Sequence, residues 1–160
     1  MTKRTGAGKT YYQSEIGFLE ILGTEAGISY INFVDEEKVK EDPAEIPALL
    51  AEGVRQLDEY FKGKRKEFSL KLRPGGTDFQ QRAWQELQRI PYGETISYGQ
   101  QAERMGNIKA CRAVGGANGR NPISVVIPCH RVIGKDGSLT GFGSGTWRKE
   151  WLLNHERKFK

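Results

Sequence analysis

Two helix-start signals in the second half of the chain constrain its fold more than any other feature. Thr77 with Gln80, and Ser97 with Gln100, have the spacing of a capping box. In a capping box, each of the two residues uses its side chain to satisfy the backbone N–H of the other at the helix N-terminus. Pro91-Tyr92-Gly93 would end the first helix before the second begins. The sequence therefore predicts short helices with defined ends in this half.

A third helix is predicted directly after the second, which ends near Gly106. Asn107 can cap a helix from Ile108 to about Ala117, and two short helices joined by a Gly-Asn turn are typical of a helix-turn-helix. Gly115 and Gly116 lie in this third helix, where each weakens the helix by about 1 kcal/mol relative to alanine. Close packing of another helix or close approach of a nucleic-acid backbone would account for them, and the sequence leaves both open.

The first half of the chain has the pattern of a small sheet. Residues 16–22 and 28–34 are β-rich runs, and the segment 23–27 between them is typical of a hairpin turn. Residues 1–10 are interpreted as a flexible tail, and the charged stretch 35–45 as a loop.

A helix and one more strand are predicted before the domain boundary. Pro47 suits the first turn of a helix whose apolar positions continue to Phe61, and residues 68–72 alternate as a half-buried strand does. Residues 73–76 (RPGG) are the predicted linker. The sequence thus predicts an N-terminal domain over 1–76 and a C-terminal domain over 77–160. In the C-terminal domain Thr146 is expected to cap a last helix carrying Trp147, Trp151 and Leu152 on one side.

Charge separates the two halves. Residues 1–79 carry 12 basic and 14 acidic residues, a balance of −2, and residues 80–160 carry 13 basic and 6 acidic residues, a balance of +7. The basic half indicates either a polyanionic partner or a basic solvated face. No apolar run approaches the roughly 18 residues of a membrane span. The two cysteines and two histidines have no metal-ligand spacing. We therefore expect a soluble, intracellular protein without metal, cofactor or membrane contact.

A candidate nucleophile follows the apolar run 123–127, which is interpreted as β-rich. Pro128 leads into Cys129, His130 and Arg131, and nearby positive charge with an imidazole favours the reactive thiolate. Adjacent side chains diverge on extended backbone, so His130 is expected to reach the sulfur through a water molecule. Glu156 is a candidate to orient its far ring nitrogen. The alternative is a buried cysteine with a packing role only.

A glycine-rich segment, residues 141–145, follows the candidate nucleophile. Its backbone N–H groups could line a small pocket, with Phe142 as a flat apolar wall for a planar ligand. A plain flexible loop is the alternative interpretation.

Together these residues resemble the 6-O-alkylguanine-DNA alkyltransferases, the methylated-DNA–protein-cysteine methyltransferase family. The resemblance covers about residues 78–156 closely, and it implies two domains. One is an α/β N-terminal domain, a short β-sheet with a helix of RNase H-like type. The other is a mainly α C-terminal domain of winged helix-turn-helix type. The matching segments are PYGE with SY (91–94, 97–98), RAVGGA (112–117), NP (121–122), IPCHRV (127–132) and WRKEWLLNHE (147–156).

The resemblance also implies catalytic roles. Cys129 would accept the alkyl group, and His130, through a water and with Glu156 behind it, would remove the thiol proton. Asn121 would sit at the turn joining the recognition helix to the active site. Tyr98 and Lys149 would be donors to the departing guanine.

Further residues would contact DNA or wall a base pocket. Arg112 would be inserted into the duplex when the target base leaves the stack. The other implied DNA contacts are Ala113, Gly115, Gly116, Ser97 and Arg131, and the implied pocket residues are Phe142, Gly143 and Ser144. The family often has tyrosine at 142, and some members have serine at 143. Some members also bind zinc through N-terminal Cys and His, which residues 1–79 lack.

The implied activity is irreversible transfer of the methyl group of 6-O-methylguanine to the protein's own cysteine, once per chain. The target would be double-stranded DNA, entered from the minor groove with little sequence preference, and the base would have to leave the stack. A monomer in the cytoplasm is expected, or in the nucleus if the source is eukaryotic. The alternatives are a non-catalytic sensor of alkylated DNA, which characteristically lacks the acceptor cysteine, a Cys-His hydrolase, and a DNA-binding regulator.

Overall fold

The computed structural model describes residues 7–40 and 45–160. The chain divides into two compact units, Met1–Gly75 and Gly76–Lys160. The boundary predicted from the sequence, between residues 76 and 77, lies one residue further along the chain.

Unit 1 contains a three-stranded antiparallel sheet in the order β1-β2-β3. The strands are β1 (Gly8–Ser14), β2 (Gly17–Thr24) and β3 (Gly27–Val34). The predicted hairpin of β2 and β3 is confirmed. The prediction of a flexible tail over residues 1–10 is wrong from Gly8 onward, where strand β1 begins. Residues 1–6 lie outside the described part. The sequence of β1, GKTYYQS, has too few apolar residues to show the alternation of a strand, yet it pairs with β2 along its whole length.

Helix α1 (Ala48–Phe61) confirms the helix predicted after Pro47. Pro47 has no side chain that can cap it. Instead the Glu25 carboxylate accepts hydrogen bonds from Ala48 N at 2.8 Å and Leu49 N at 2.9 Å. A carboxylate here also suits the positive end of the helix dipole.

The prediction of a strand over residues 68–72 is wrong. Only one isolated bridge joins Leu72 to Ile28, with hydrogen bonds from Ile28 N to Lys71 O and from Arg73 N to Ile28 O. The side chains do alternate between half-buried and exposed, which explains the pattern in the sequence. The predicted loop 35–45 contains a 3₁₀ turn at Glu36–Lys38, and its residues 41–44 lie outside the described part.

Unit 2 is built on α2 (Asp78–Leu87), α3 (Tyr98–Arg104) and α4 (Cys111–Gly119). Both predicted capping boxes are present. Helix α4 begins later than predicted, because Asn107 caps a 3₁₀ turn at Ile108–Ala110 by accepting a hydrogen bond from Lys109 N. Helices α3 and α4 pack against each other as the helix-turn-helix prediction requires.

Ile123 forms a single β-bridge, and residues 124–127 form tight turns rather than continuing the predicted β-rich run. Val126 N donates to Ser124 O around Val125, whose φ of 71° is unusual for a β-branched residue. Cys129 N donates to Ile127 O around Pro128, with φ −82° and ψ 67°, the geometry of an inverse γ-turn. The run is apolar because its side chains are buried, and periodicity alone cannot separate buried turns from a buried strand.

The remaining elements frame these turns. Strands β4 (Ile96–Ser97) and β5 (Val132–Ile133) pair in parallel, and helix α5 (Thr146–Phe159) closes the chain. Thr146 is the first residue of α5 and does not cap it. Trp147 is 56% exposed, so the predicted apolar side of α5 with Trp151 and Leu152 does not include it. Over residues 7–40 and 45–160, every helix is too short or too polar to cross a bilayer.

Candidate active site

Cys129 is the buried first residue of a 3₁₀ turn, Cys129–Arg131. Burial raises the pKa of its thiol above the ordinary value of 9.0, although a hydrogen bond with the Asn121 side chain and the charge of Lys149 oppose that rise. The predicted thiolate is therefore not the resting form. Because the thiol is neutral at rest, a base has to take its proton when it reacts.

His130 is fully buried beside it. Burial lowers the pKa of His130 below its ordinary value of 6.5, so the imidazole is neutral near pH 7. Its Nε2 lies 2.7 Å from Glu156 Oε2, which is the contact predicted for Glu156. A neutral ring that donates from Nε2 leaves Nδ1 as a proton acceptor. Nδ1 is buried and has no hydrogen-bond partner among the described residues.

Arg131 corrects the prediction of a DNA contact. Its side chain is buried, and each guanidinium nitrogen has a protein partner: Nε and Nη2 donate to the two Glu156 oxygens at 2.8 and 3.0 Å, and Nη1 donates to Ile90 O at 2.7 Å. Gly93 N also donates to Glu156 Oε1. Burial alone would raise the pKa of Glu156, but His130 and Arg131 hold it well below its usual range. Arg131 thus fixes the carboxylate that orients His130.

Tyr98 and Lys149, the predicted guanine donors, converge on one backbone oxygen. The Tyr98 hydroxyl and Lys149 Nζ each donate to Thr140 O at 2.9 Å, and Nζ lies 5.8 Å from the centre of the Tyr98 ring. Burial raises the pKa of Tyr98 and lowers the pKa of Lys149. Lys149 is therefore a readier proton donor than an exposed lysine.

Asn121 links the end of α4 to the cysteine. Its Nδ2 donates to Ile127 O at 2.8 Å, and its Oδ1 accepts from Ile123 N at 2.9 Å. Its side chain thus holds the turns that precede Cys129.

Apart from Ser97 and Arg131, the predicted DNA-contact residues lie on α4. Arg112 and Ala113 are exposed, and Gly115 and Gly116 are half-buried. A Cβ atom at Gly115 would meet only the Tyr98 ring at 3.9 Å, and one at Gly116 would meet Arg120 Nη1 at 3.6 Å. Packing within unit 2 therefore does not require these glycines.

Two further predicted groups have structural contacts of their own. The Ser97 hydroxyl caps α3 by accepting a hydrogen bond from Gln100 N at 3.1 Å. In the predicted pocket segment, Gly145 N donates to Phe142 O and Arg148 Nη1 donates to Ser144 O. Phe142 and Ser144 are half-buried and Gly143 is exposed.

No group of three or more His, Cys, Asp or Glu in the described parts of the chain is arranged to hold a metal ion.

Comparison with known proteins gives the same two-part division. Residues 8–74 match the family model described as the 6-O-methylguanine DNA methyltransferase, ribonuclease-like domain, and residues 78–158 match that of its DNA binding domain. The chain belongs to the 6-O-methylguanine DNA methyltransferase family. The N-terminal α/β and C-terminal helical fold classes implied by the resemblance are confirmed.

Relatives in this family span nearly the whole chain. A methylated-DNA–protein-cysteine methyltransferase of Methanosarcina acetivorans is 49% identical over 148 residues, covering 91% of this chain and 95% of its own. The constitutive enzyme of Bacillus subtilis is 50% identical over 137 residues, covering 85% and 80%. The crystal structure of Mycobacterium tuberculosis OGT in complex with DNA has a TM-score of 0.83 and 43% identity, covering 93% and 92%.

Sequence reasoning missed several contacts that build this site. Thr140 O, Ile90 O and Gly93 N act through the backbone, which leaves no signal in a side-chain pattern. Gln101 and Asn118, buried between α3 and α4, were also missed. The signal available in the sequence for this pair was a polar residue on the face of each helix that the apolar residues mark as buried.

Proposed function

We propose that this chain repairs alkylated double-stranded DNA by transferring the methyl group of 6-O-methylguanine to Sγ of its own Cys129. The observation that carries the proposal is a buried cysteine next to a neutral imidazole whose Nε2 is held by Glu156 at 2.7 Å. Family membership and relatives named as methylated-DNA–protein-cysteine methyltransferases support it.

The proton on Cys129 is the first to move. One water between Sγ and Nδ1 of His130 would carry it to the ring, and Glu156 would stabilise the imidazolium that forms. Because the Glu156 carboxylate is already ionised, it can stabilise this imidazolium without first losing a proton. The thiolate, poorly solvated in its buried position, is then a strong nucleophile.

The methyl transfer itself exchanges two bonds. Sγ forms a bond to the methyl carbon while the bond from that carbon to the guanine oxygen breaks, and the electron pair goes to the base. A proton or hydrogen bond from Lys149 or Tyr98 would neutralise the departing guanine. Both groups would have to exchange their contact with Thr140 O for the base. The thioether product has no activated bond, so each chain would react once.

Helix α4 would bind the duplex through the minor groove. Gly115 and Gly116 leave a surface without side chains, and a DNA backbone can come close to such a surface. Arg112, exposed on the same helix, would fill the space left by the extrahelical base. Ala113 and Ser97 would also contact the duplex, and Phe142, Gly143 and Ser144 would wall the pocket for the extrahelical base. We further propose that the protein acts as a monomer in the cytoplasm, without metal or cofactor.

A duplex with a single 6-O-methylguanine tests the proposal. Intact-mass analysis after incubation should show at most one added methyl group per chain, and peptide mapping should place it on Cys129. The Cys129→Ser variant should bind the duplex and remain unmodified. Repeated demethylation by one chain, or a methyl group on Cys111 instead, would contradict the mechanism. Binding without any transfer would instead indicate a non-catalytic sensor.

A further inference from the structure

A reciprocal pair of buried amides joins the two helices of the helix-turn-helix. Gln101 of α3 donates from Nε2 to Asn118 Oδ1 at 3.0 Å, and Asn118 of α4 donates from Nδ2 to Gln101 Oε1 at 2.7 Å. The two residues are 0% and 4% exposed. Each amide therefore satisfies the other where water has little access.

Helix α2 adds two more directional contacts to the same place. Gln101 Nε2 also donates to Ala83 O at 3.2 Å, and the Trp84 indole donates to Ala117 O at 2.9 Å. The C-terminal part of α4 is thus held by polar groups from both α2 and α3. Asn121, whose side chain holds the turns before Cys129, follows three residues after Asn118.

Stability alone gives little reason for such a pair. Burying two amides costs desolvation, and apolar side chains of similar volume in the same place are often as stabilising. What the hydrogen bonds add is direction, because only one rotation and register of α4 satisfies both amides at once. Val114 is the one large apolar side chain that α4 buries, since its other residues are small, polar or exposed. Apolar packing therefore fixes the orientation of α4 weakly.

We infer that the Gln101–Asn118 pair is a positioning element that holds α4 in the orientation that binds duplex DNA. The inference rests on the proposed function, since it assigns to α4 the duplex contact described above. A free 6-O-alkylguanine base needs the cysteine and its pocket but makes no contact with a duplex-binding helix. Loss of the pair should therefore weaken duplex binding while leaving the reaction with the free base almost unchanged.

The test removes the hydrogen bonds while keeping the site filled. In the full chain, Gln101→Leu with Asn118→Leu replaces both amides by apolar groups, so neither amide is left without the other. If the competent orientation of α4 falls to about a tenth of the population, the apparent duplex Kd rises about tenfold. Duplex Kd is measured with unmethylated DNA, and the second-order rate constant is measured with free 6-O-methylguanine. We expect the latter to stay within about twofold of wild type.

A swapped pair provides the matched control. Gln101→Asn with Asn118→Gln keeps one amide on each helix and the same summed side-chain length, so duplex affinity should return to within about threefold of wild type. Each single leucine variant leaves the other buried amide without its side-chain partner and should be less stable than the double variant.

Three outcomes would overturn the inference. Wild-type duplex affinity in the leucine double variant would mean that the pair only fills space. Equal losses with duplex and free base would mean that the change disturbs the whole unit. Failure of the swapped pair to recover affinity in a folded protein would mean that direction is not what matters. If the wild type transferred no methyl group at all, the proposed function would fail, whereas the duplex Kd values would still decide the role of the amides.

Discussion

Glu156 is a carboxylate with no exposed surface that accepts hydrogen bonds from Gly93 N, His130 Nε2 and two nitrogens of Arg131. Replacing it by glutamine removes the counter-charge of Arg131 and turns one acceptor into a donor. Breaking a buried ion pair on one side costs about 3–5 kcal/mol. We expect the free energy of unfolding in urea to fall by about that amount. The rate of methyl transfer should fall about 100-fold, because His130 is no longer held as a base.

Glu150→Gln is the matched control for this prediction. Glu150 is an exposed carboxylate on the same helix, and neutralising it removes the same charge without touching His130. Both the unfolding free energy and the single-turnover rate should stay close to wild type. Wild-type values in Glu156→Gln would show that Glu156 neither stabilises unit 2 nor orients His130.

The buried imidazole of His130 makes stability depend on pH. Its folded-state pKa lies below the ordinary 6.5, so the unfolded chain takes up a proton at a higher pH than the folded chain does. The stability that this neutral histidine contributes is complete above pH 6.5 and falls as the pH drops below it. Between pH 6.5 and pH 5 the loss can reach about 2 kcal/mol.

Urea unfolding at pH 8, 6.5 and 5 measures this slope. We expect His130→Gln to reduce the dependence of the unfolding free energy on pH. His155→Gln, which keeps His130, should retain the pH dependence that His130 causes. The low folded-state pKa of Glu156 acts in the same direction but at lower pH, since its contribution is complete above the unfolded pKa near 4.5. An unchanged slope in His130→Gln would show that the imidazole is not held neutral.

At the scale of single elements, alanine substitutions in α4 should increase the stability of the protein and weaken its binding to duplex DNA. A Cβ atom at Gly115 or Gly116 meets nothing closer than 3.6 Å, so alanine should fit and should strengthen the helix by about 1 kcal/mol at each position. If a DNA backbone lies against this surface, the same methyl groups should hinder it. We expect Gly115→Ala with Gly116→Ala to raise the melting temperature and to weaken duplex binding about tenfold.

Gly141→Ala is a useful comparison, because this glycine is required by its backbone. Its φ is 74°, and a Cβ atom there would lie 3.1 Å from the Tyr98 hydroxyl. Alanine at 141 should lower stability, whereas alanine at 115 and 116 should raise it. Stronger duplex binding by the double alanine variant would argue against close approach of DNA to α4.

How far the sequence predicts each element depends on whether its signal is local. The capping boxes at Thr77 and Ser97 are confirmed because each involves a four-residue pattern with its own hydrogen bonds. The run 123–127 is not a strand because the Asn121 side chain binds Ile123 N and Ile127 O, a contact that an apolar sequence pattern does not reveal. The DNA contact that the resemblance implies for Arg131 is wrong because its guanidinium pairs with Glu156, which is 25 residues away and outside any local sequence pattern.

For the whole molecule, the excess of basic residues in the C-terminal half predicts how binding responds to salt. Residues 80–160 carry 13 basic and 6 acidic residues, and the DNA-binding family model matches residues 78–158. Each phosphate neutralised by Lys or Arg releases counterions, so log Kd should rise linearly with log salt concentration. With about four phosphate contacts, duplex affinity should fall roughly 100-fold between 50 and 200 mM salt.

The comparison of two duplexes makes this salt prediction specific to the proposed function. Contacts to phosphates do not read bases, so duplexes with and without 6-O-methylguanine, and of unrelated sequence, should give the same slope. The Cys129→Ser variant allows both to be measured at equilibrium by fluorescence anisotropy. Arg112→Ala should weaken binding to all of them and should reduce the slope by about one or less, since one cation is removed. A strong preference for one sequence, with a small slope, would indicate base readout by a regulator and would contradict repair by base extrusion.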